Sequence, residues 1–92
     1  MKTGGLTAGT AYTTSKGALG ALTFSLAREL APFGVTVNGV APAYVRTKMI
    51  TEQLPEEQRQ NTLRGIPVGR FSEPEEVAHA VAFLVSEQSG FI

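Results

Sequence analysis

Tyr12 and Lys16 are the residues of this chain best placed to do chemistry together, standing four apart at the head of an apolar run that reaches Leu30. On an α-helix that spacing puts two side chains on one face about one turn, roughly 6 Å, apart. A phenol titrates near pH ~10 in water, so at neutrality it is a slow proton donor or acceptor. A nearby ammonium favours the phenolate and brings a phenol towards the range where general acid–base catalysis is efficient. The same spacing also suits a tyrosine packed at a helix start with a solvated lysine one turn on. The pair alone does not choose between the two.

The elements that must hold the pair can be taken in chain order. Residues 1–10 carry Gly4, Gly5 and Gly9 among threonines and read as a loop, with Thr7 or Thr10 able to cap the helix that follows. No strand fits ahead of Gly4, so these glycines do not form a dinucleotide fingerprint. From Tyr12 to Leu30, Leu19, Leu22, Leu26 and Leu30 form an apolar stripe that Ala18, Ala21, Phe24 and Ala27 widen. A helix so broadly apolar is expected to be covered on more than one side. Gly17, Gly20 and Ala21 leave room either for a partner helix or merely for a sheet. Pro32 and Gly34 end the helix, the glycine suiting a left-handed turn.

Val35, Val37 and the apolar residues from Val40 predict a short strand, interrupted by Asn38 and Gly39, which runs into Pro42-Ala43-Tyr44-Val45-Arg46-Thr47. Residues 48–64 are polar and weakly helical, with Pro55 able to begin a turn and Gly65 to end one. Glu56, Glu57 and Arg59 read there as a solvated face. Ser72 and Glu75 have the spacing of a capping box, Pro74 falls in the first turn, and Glu73, Glu75 and Glu76 suit the positive end of the helix that follows. That helix runs to about Ser86 and is expected to be largely buried through Val77, Val81, Leu84 and Val85. His79, the sole histidine, reads as a surface or boundary residue; a lone histidine does not make a metal site.

Composition narrows the function classes. At 92 residues the chain is one domain at most, and 42% hydrophobic residues suffice for a core of marginal stability. Eight basic and eight acidic residues cancel, which points away from nucleic acid and from an anionic membrane surface. The absence of cysteine removes disulfides, thiolate metal sites and a cysteine nucleophile. No run approaches the ~20 apolar residues that span a bilayer, and the first residues lack a signal-peptide core. A cytoplasmic protein is expected.

Three segments, in order, resemble the short-chain dehydrogenase/reductase family. The first is Tyr12-Thr13-Thr14-Ser15-Lys16, similar to the family's Tyr-x-x-x-Lys. The second is Pro42-Ala43-Tyr44-Val45-Arg46-Thr47, similar to Pro-Gly-x-Val/Ile-x-Thr, with Val45 and Thr47 in register and Ala43 where the family usually has glycine. The third is Pro67 to Ala78, similar to Pro-x-x-Arg-x-x-x-Pro-Glu-Glu-Val-Ala. Within the family the wording is most like the 3-oxoacyl-[acyl-carrier-protein] reductase branch.

The resemblance implies an α/β fold, with residues 1–92 forming a C-terminal fragment of a Rossmann-type doubly wound parallel sheet: helix, strand, helix, helix, and Phe91-Ile92 as the stub of a last strand. It implies hydride transfer between NAD or NADP, NADP slightly favoured, and a small-molecule carbonyl or secondary alcohol, within a homo-oligomer (tetramer or dimer) formed through the first helix. It assigns Tyr12 and Lys16 as catalytic, both also contacting cofactor, with Pro42, Ala43, Val45 and Thr47 holding the nicotinamide. Met49, Ile50 and Leu54 would sit in a lid that faces substrate or packs onto the body. The glycine-rich turn and the catalytic serine of the family are expected ahead of Met1, Thr3 being wrongly spaced for the serine. The 92-residue chain alone is therefore expected to be inactive and poorly folded or self-associated. The alternative is a non-catalytic truncated fragment or pseudo-enzyme acting only through a helical oligomerisation surface.

Overall fold

The computed structural model describes residues 9–92, so the loop glycines Gly4 and Gly5, the candidate cap Thr7 and Thr3 lie outside the described residues. Two compact units are present: one ends at Gly39 and takes in Gly90–Ile92, the other is Val40–Ser89.

The first unit is built on α1 (Thr10–Leu30). Gly9, not Thr10, is its N-cap, with extended φ −76° and ψ 162°; Thr10 is already helical. The Gly9 carbonyl opens the ladder by accepting from Thr13 N–H at 3.0 Å. Interior hydroxyls turn back onto the helix, Ser15 Oγ donating to Tyr12 O at 2.8 Å and Thr23 Oγ1 to Leu19 O at 2.9 Å, which removes them from competition for other partners. A single 3-10 turn, Ala31–Phe33, closes the C-terminus. Gly34 then takes φ 72°, its N–H bonding Ala31 O at 3.0 Å, the left-handed stop that the Pro32 and Gly34 pattern predicts.

Two expectations fail in this unit. The apolar stripe of α1 is uncovered: Leu19, Leu22 and Phe24 are exposed, Phe24 at 78%, and no residue of the helix is fully buried. Residues 35–40 form no strand, and Phe91-Ile92 form no strand stub. Both failures have one physical cause. A strand's N–H and C=O groups need a neighbouring strand, and an apolar helix face needs a sheet or helix beneath it; neither is supplied among the described residues of this unit. What ties the two ends of the unit is a side chain, Asn38 Nδ2 donating to Ile92 O at 2.9 Å.

The second unit holds a π-helical turn at Met49–Gln53, α2 (Glu56–Arg64), α3 (Pro74–Leu84) and a 3-10 turn at Glu87–Ser89. Pro55 starts α2 and Gly65 ends it, as the sequence predicts. Ile50 and Phe71 are its buried apolar residues. Ser89 is buried too, and donates to Phe83 O at 2.5 Å. The cap of α3 sits one residue later than the Ser72–Glu75 box: Glu73 is the N-cap, Pro74 is N1, and the Glu76 carboxylate accepts from Glu73 N–H at 2.7 Å. Pro74 suits a first turn begun at either residue, but the Ser72 N–H and C=O are taken by Tyr44 and Arg46, which leaves the cap to Glu73. The α3 helix is also less buried than its sequence predicts, with Val81, Phe83 and Val85 exposed. Among the described residues no helix is long and apolar enough to cross a membrane.

Gly34 offers a direct test of the α1 stop. A Cβ there meets nothing within 4 Å, so Gly34→Ala introduces backbone strain at φ 72° without a clash. The variant is expected to lose about 1 kcal/mol in a denaturant melt, while Ala substitution at Gly17, within the helix, gains stability.

Candidate active site

The first turn of α1 brings Tyr12 and Lys16 together. Lys16 Nζ lies over the Tyr12 ring, 5.5 Å from its centroid, within the range of an attractive cation–π contact. The phenol remains open, Tyr12 being 58% exposed. No acidic residue occupies the first turn, so the helix dipole and the ammonium both favour negative charge at this end of the helix. The spacing thus yields a tyrosine that is accessible, held at a positive helix end and stacked against a cation. A phenol so placed can pass a proton to or from an oxygen of a small molecule.

Pro42, Ala43, Val45 and Thr47 belong to the second unit. The backbone here is pinned by one parallel bridge between Val45 and Ser72: Ser72 N–H donates to Tyr44 O at 2.9 Å, and Arg46 N–H donates to Ser72 O at 2.7 Å. Since both bonds come from the residues flanking Val45, the N–H and C=O of Val45 itself point to the opposite side. The next residue but one, Thr47, turns the chain, its carbonyl accepting from Ile50 and Thr51 N–H at 3.0 Å each. Ala43 replaces the family glycine without strain, because no non-glycine residue among those described has a positive φ. Pro42, Ala43 and Tyr44 line a hollow of about 420 Å³ together with Ile66, Val68 and Val77. Of the lid candidates, Ile50 is buried, Leu54 half-buried and Met49 exposed, so Ile50 serves packing and Met49 stays open.

Sequence reasoning missed two ion pairs beside this backbone. Arg46 Nε donates to Glu73 Oε1 and Oε2 at 2.8 and 3.0 Å, and Arg46 Nη2 to Oε2 at 2.6 Å. Arg70 Nη1 and Nη2 donate to the two oxygens of Glu76 at 2.8 and 2.7 Å. The glutamates had a sufficient local explanation in the helix dipole, and nothing in local spacing links Arg46 to a residue 27 positions on. Bonding to Arg70 and then to Glu73 N–H holds the Glu76 carboxyl down at about 2, and the Arg46 hydrogen bonds hold Glu73 below the usual carboxylate range. Glu56 is lowered by Gln60 and by Arg59, which also pairs with it on the open face of α2. His79 is exposed, and among the described residues no cluster of His, Cys, Asp or Glu could hold a metal ion.

Comparison with known proteins adds four findings. A family model described as enoyl-(acyl carrier protein) reductase matches residues 2–92. The chain is 47% identical over 81 residues to 3-oxoacyl-[acyl-carrier-protein] reductase FabG of Rickettsia conorii, covering 88% of this chain and 33% of that protein. It is 51% identical over 81 residues to the FabG of Aquifex aeolicus, covering 88% and 32%. Among solved structures, a mutant Serratia marcescens short-chain dehydrogenase/reductase aligns with a TM-score of 0.78 at 38% identity, covering 88% of this chain and 32% of that one. The chain spans about a third of the length of the relatives it matches.

The Glu76 clasp sets a pH dependence of known sign. Its folded value of about 2 lies below the ordinary 4.5, so its contribution to stability is complete above pH 4.5 and is lost as pH falls towards 2. Carboxyl ¹³C titration of Glu76 is expected to show this low midpoint, and Arg70→Gln to move it upward.

Proposed function

The chain belongs to the short-chain dehydrogenase/reductase family, and from that membership we propose that it carries the proton-transfer and nicotinamide-holding part of an NAD(P)-dependent oxidoreductase. The observation that carries the reading is the Tyr12–Lys16 pair, stacked and open at the head of α1. The match to proteins named 3-oxoacyl-[acyl-carrier-protein] reductase suggests a 3-oxoacyl thioester as the carbonyl substrate, with NADPH the first cofactor to test. We place the reaction in the cytoplasm, within a homo-oligomer.

The residues of the second unit suit a nicotinamide. Val45 turns its N–H and C=O away from Ser72, a donor and acceptor side by side that match a carboxamide. Pro42 and Ala43 supply an apolar wall, and Thr47 a hydroxyl. When bound, the reduced nicotinamide supplies the hydride that goes to the carbonyl carbon. Tyr12 donates the hydroxyl proton to the carbonyl oxygen as that oxygen gains charge, and accepts it back when an alcohol is oxidised. Lys16 stabilises the phenolate left behind and offers its ammonium to ribose hydroxyls. Val45 and Thr47 would hold the nicotinamide through its carboxamide, which is catalysis by positioning.

A second reading is favoured by the exposed Leu19, Leu22 and Phe24: a non-catalytic chain whose α1 serves only to associate. One experiment separates the two. Residues 1–92 replace the matching third of the Aquifex aeolicus FabG, and NADPH oxidation with a 3-oxoacyl thioester is followed. The chimera is expected to turn over, and Tyr12→Phe within it to lower kcat by roughly 10²- to 10⁴-fold with NADPH affinity largely kept. A folded, NADPH-binding chimera that does not turn over favours the second reading, and turnover surviving in Tyr12→Phe removes Tyr12 from the mechanism.

A further inference from the structure

The Tyr44–Thr47 backbone is joined to the head of α3 at two adjacent residues. Ser72 carries both bridge hydrogen bonds, and Glu73 next to it takes three hydrogen bonds from the Arg46 guanidinium. Glu73 is itself firmly based. Its N–H is bound by the Glu76 carboxylate, Pro74 follows it, and its own backbone is extended at φ −86° and ψ 148°. A lone bridge is a weak tether, because slipping by one residue costs only two hydrogen bonds and turns Val45 to the wrong side. An arginine fork on a carboxylate resists that slip, since its parallel donors accept one orientation.

We propose that Arg46 and Glu73 are a positioning pair: through them the head of α3 holds the Tyr44–Thr47 backbone in register, so that the N–H and C=O of Val45 stay aligned for a nicotinamide carboxamide. The proposal rests on the function proposed above. Both side chains are partly open, at 54% and 39% exposure, so the effect is modest and weakens with salt. A role confined to the end of α3 makes a different prediction. Arginine at the N-cap opposes the helix dipole, so exchanging the two charges harms a helix-end role and restores a positioning one.

The test uses the Aquifex aeolicus FabG chimera carrying residues 1–92 in three forms: unaltered, Glu73→Gln, and the exchange Arg46→Glu with Glu73→Arg. Amide hydrogen exchange at Arg46 and Ser72 reports the bridge, and titration with reduced nicotinamide mononucleotide, followed at the Val45 and Thr47 amides, reports the ligand edge. Glu73→Gln is expected to speed exchange at both amides and weaken nucleotide binding by about 3- to 5-fold, with the charge exchange recovering most of each loss and 0.5 M salt reducing the difference. Unchanged exchange and binding in Glu73→Gln overturn the pair, as does a charge exchange no better than the single variant. Faster bridge exchange in Glu73→Gln, with no nucleotide response at Val45 in any form, instead overturns the cofactor role and the function on which it rests.

Discussion

Backbone hydrogen bonds decide which parts of this chain hold a regular form. A helix closes its ladder within its own residues, whereas a strand depends on a neighbour. Accordingly α1, α2 and α3 are all present, while the valines from Val35 to Val40 form no strand and pair with none among the described residues. The same constraint explains the exposed side chains. Leu19, Leu22 and Phe24 on α1, and Val81 and Phe83 on α3, have the composition of faces that cover a sheet, and no sheet is formed among the described residues.

Where the chain does join distant residues, it uses polar groups instead of a broad apolar core. Ile50 and Phe71 are the buried apolar residues of the second unit, and the single bridge between Val45 and Ser72 is reinforced by the Arg46–Glu73 ion pair. The Arg70–Glu76 pair secures the same helix head from the other side of Pro74. This arrangement makes the head of α3 both a helix terminus and the support for the backbone proposed to meet the nicotinamide.

The parts legible in the sequence were those set by local chemistry. Tyr12 and Lys16 meet because four residues make about one turn; α1 stops at Gly34 because proline and glycine leave few alternatives; Pro55 and Pro74 mark the starts of α2 and α3. The parts that were not legible depend on distant partners. Arg46 gives no local sign of Glu73, and the alternation of Val35 and Val37 predicts a strand only if another strand lies alongside. The one-residue error at the α3 cap came from reading Ser72 as the preferred cap type. Ser72 is instead occupied through its backbone in the bridge, which leaves the cap to Glu73.

Because Ser72 and Glu73 reach back to Tyr44 and Arg46, the span from Tyr44 to Glu73 behaves as one heritable block. A recombination crossover placed within it, for instance in α2, would bring an arginine from one parent to a head of α3 from another, and the carboxylate it needs would be a matter of chance. Crossovers before Val40 or after Ser89 leave the block whole. Exposed and polar as it is, α2 therefore looks like a convenient place to cut and is a poor one, since what it separates in sequence is joined in space.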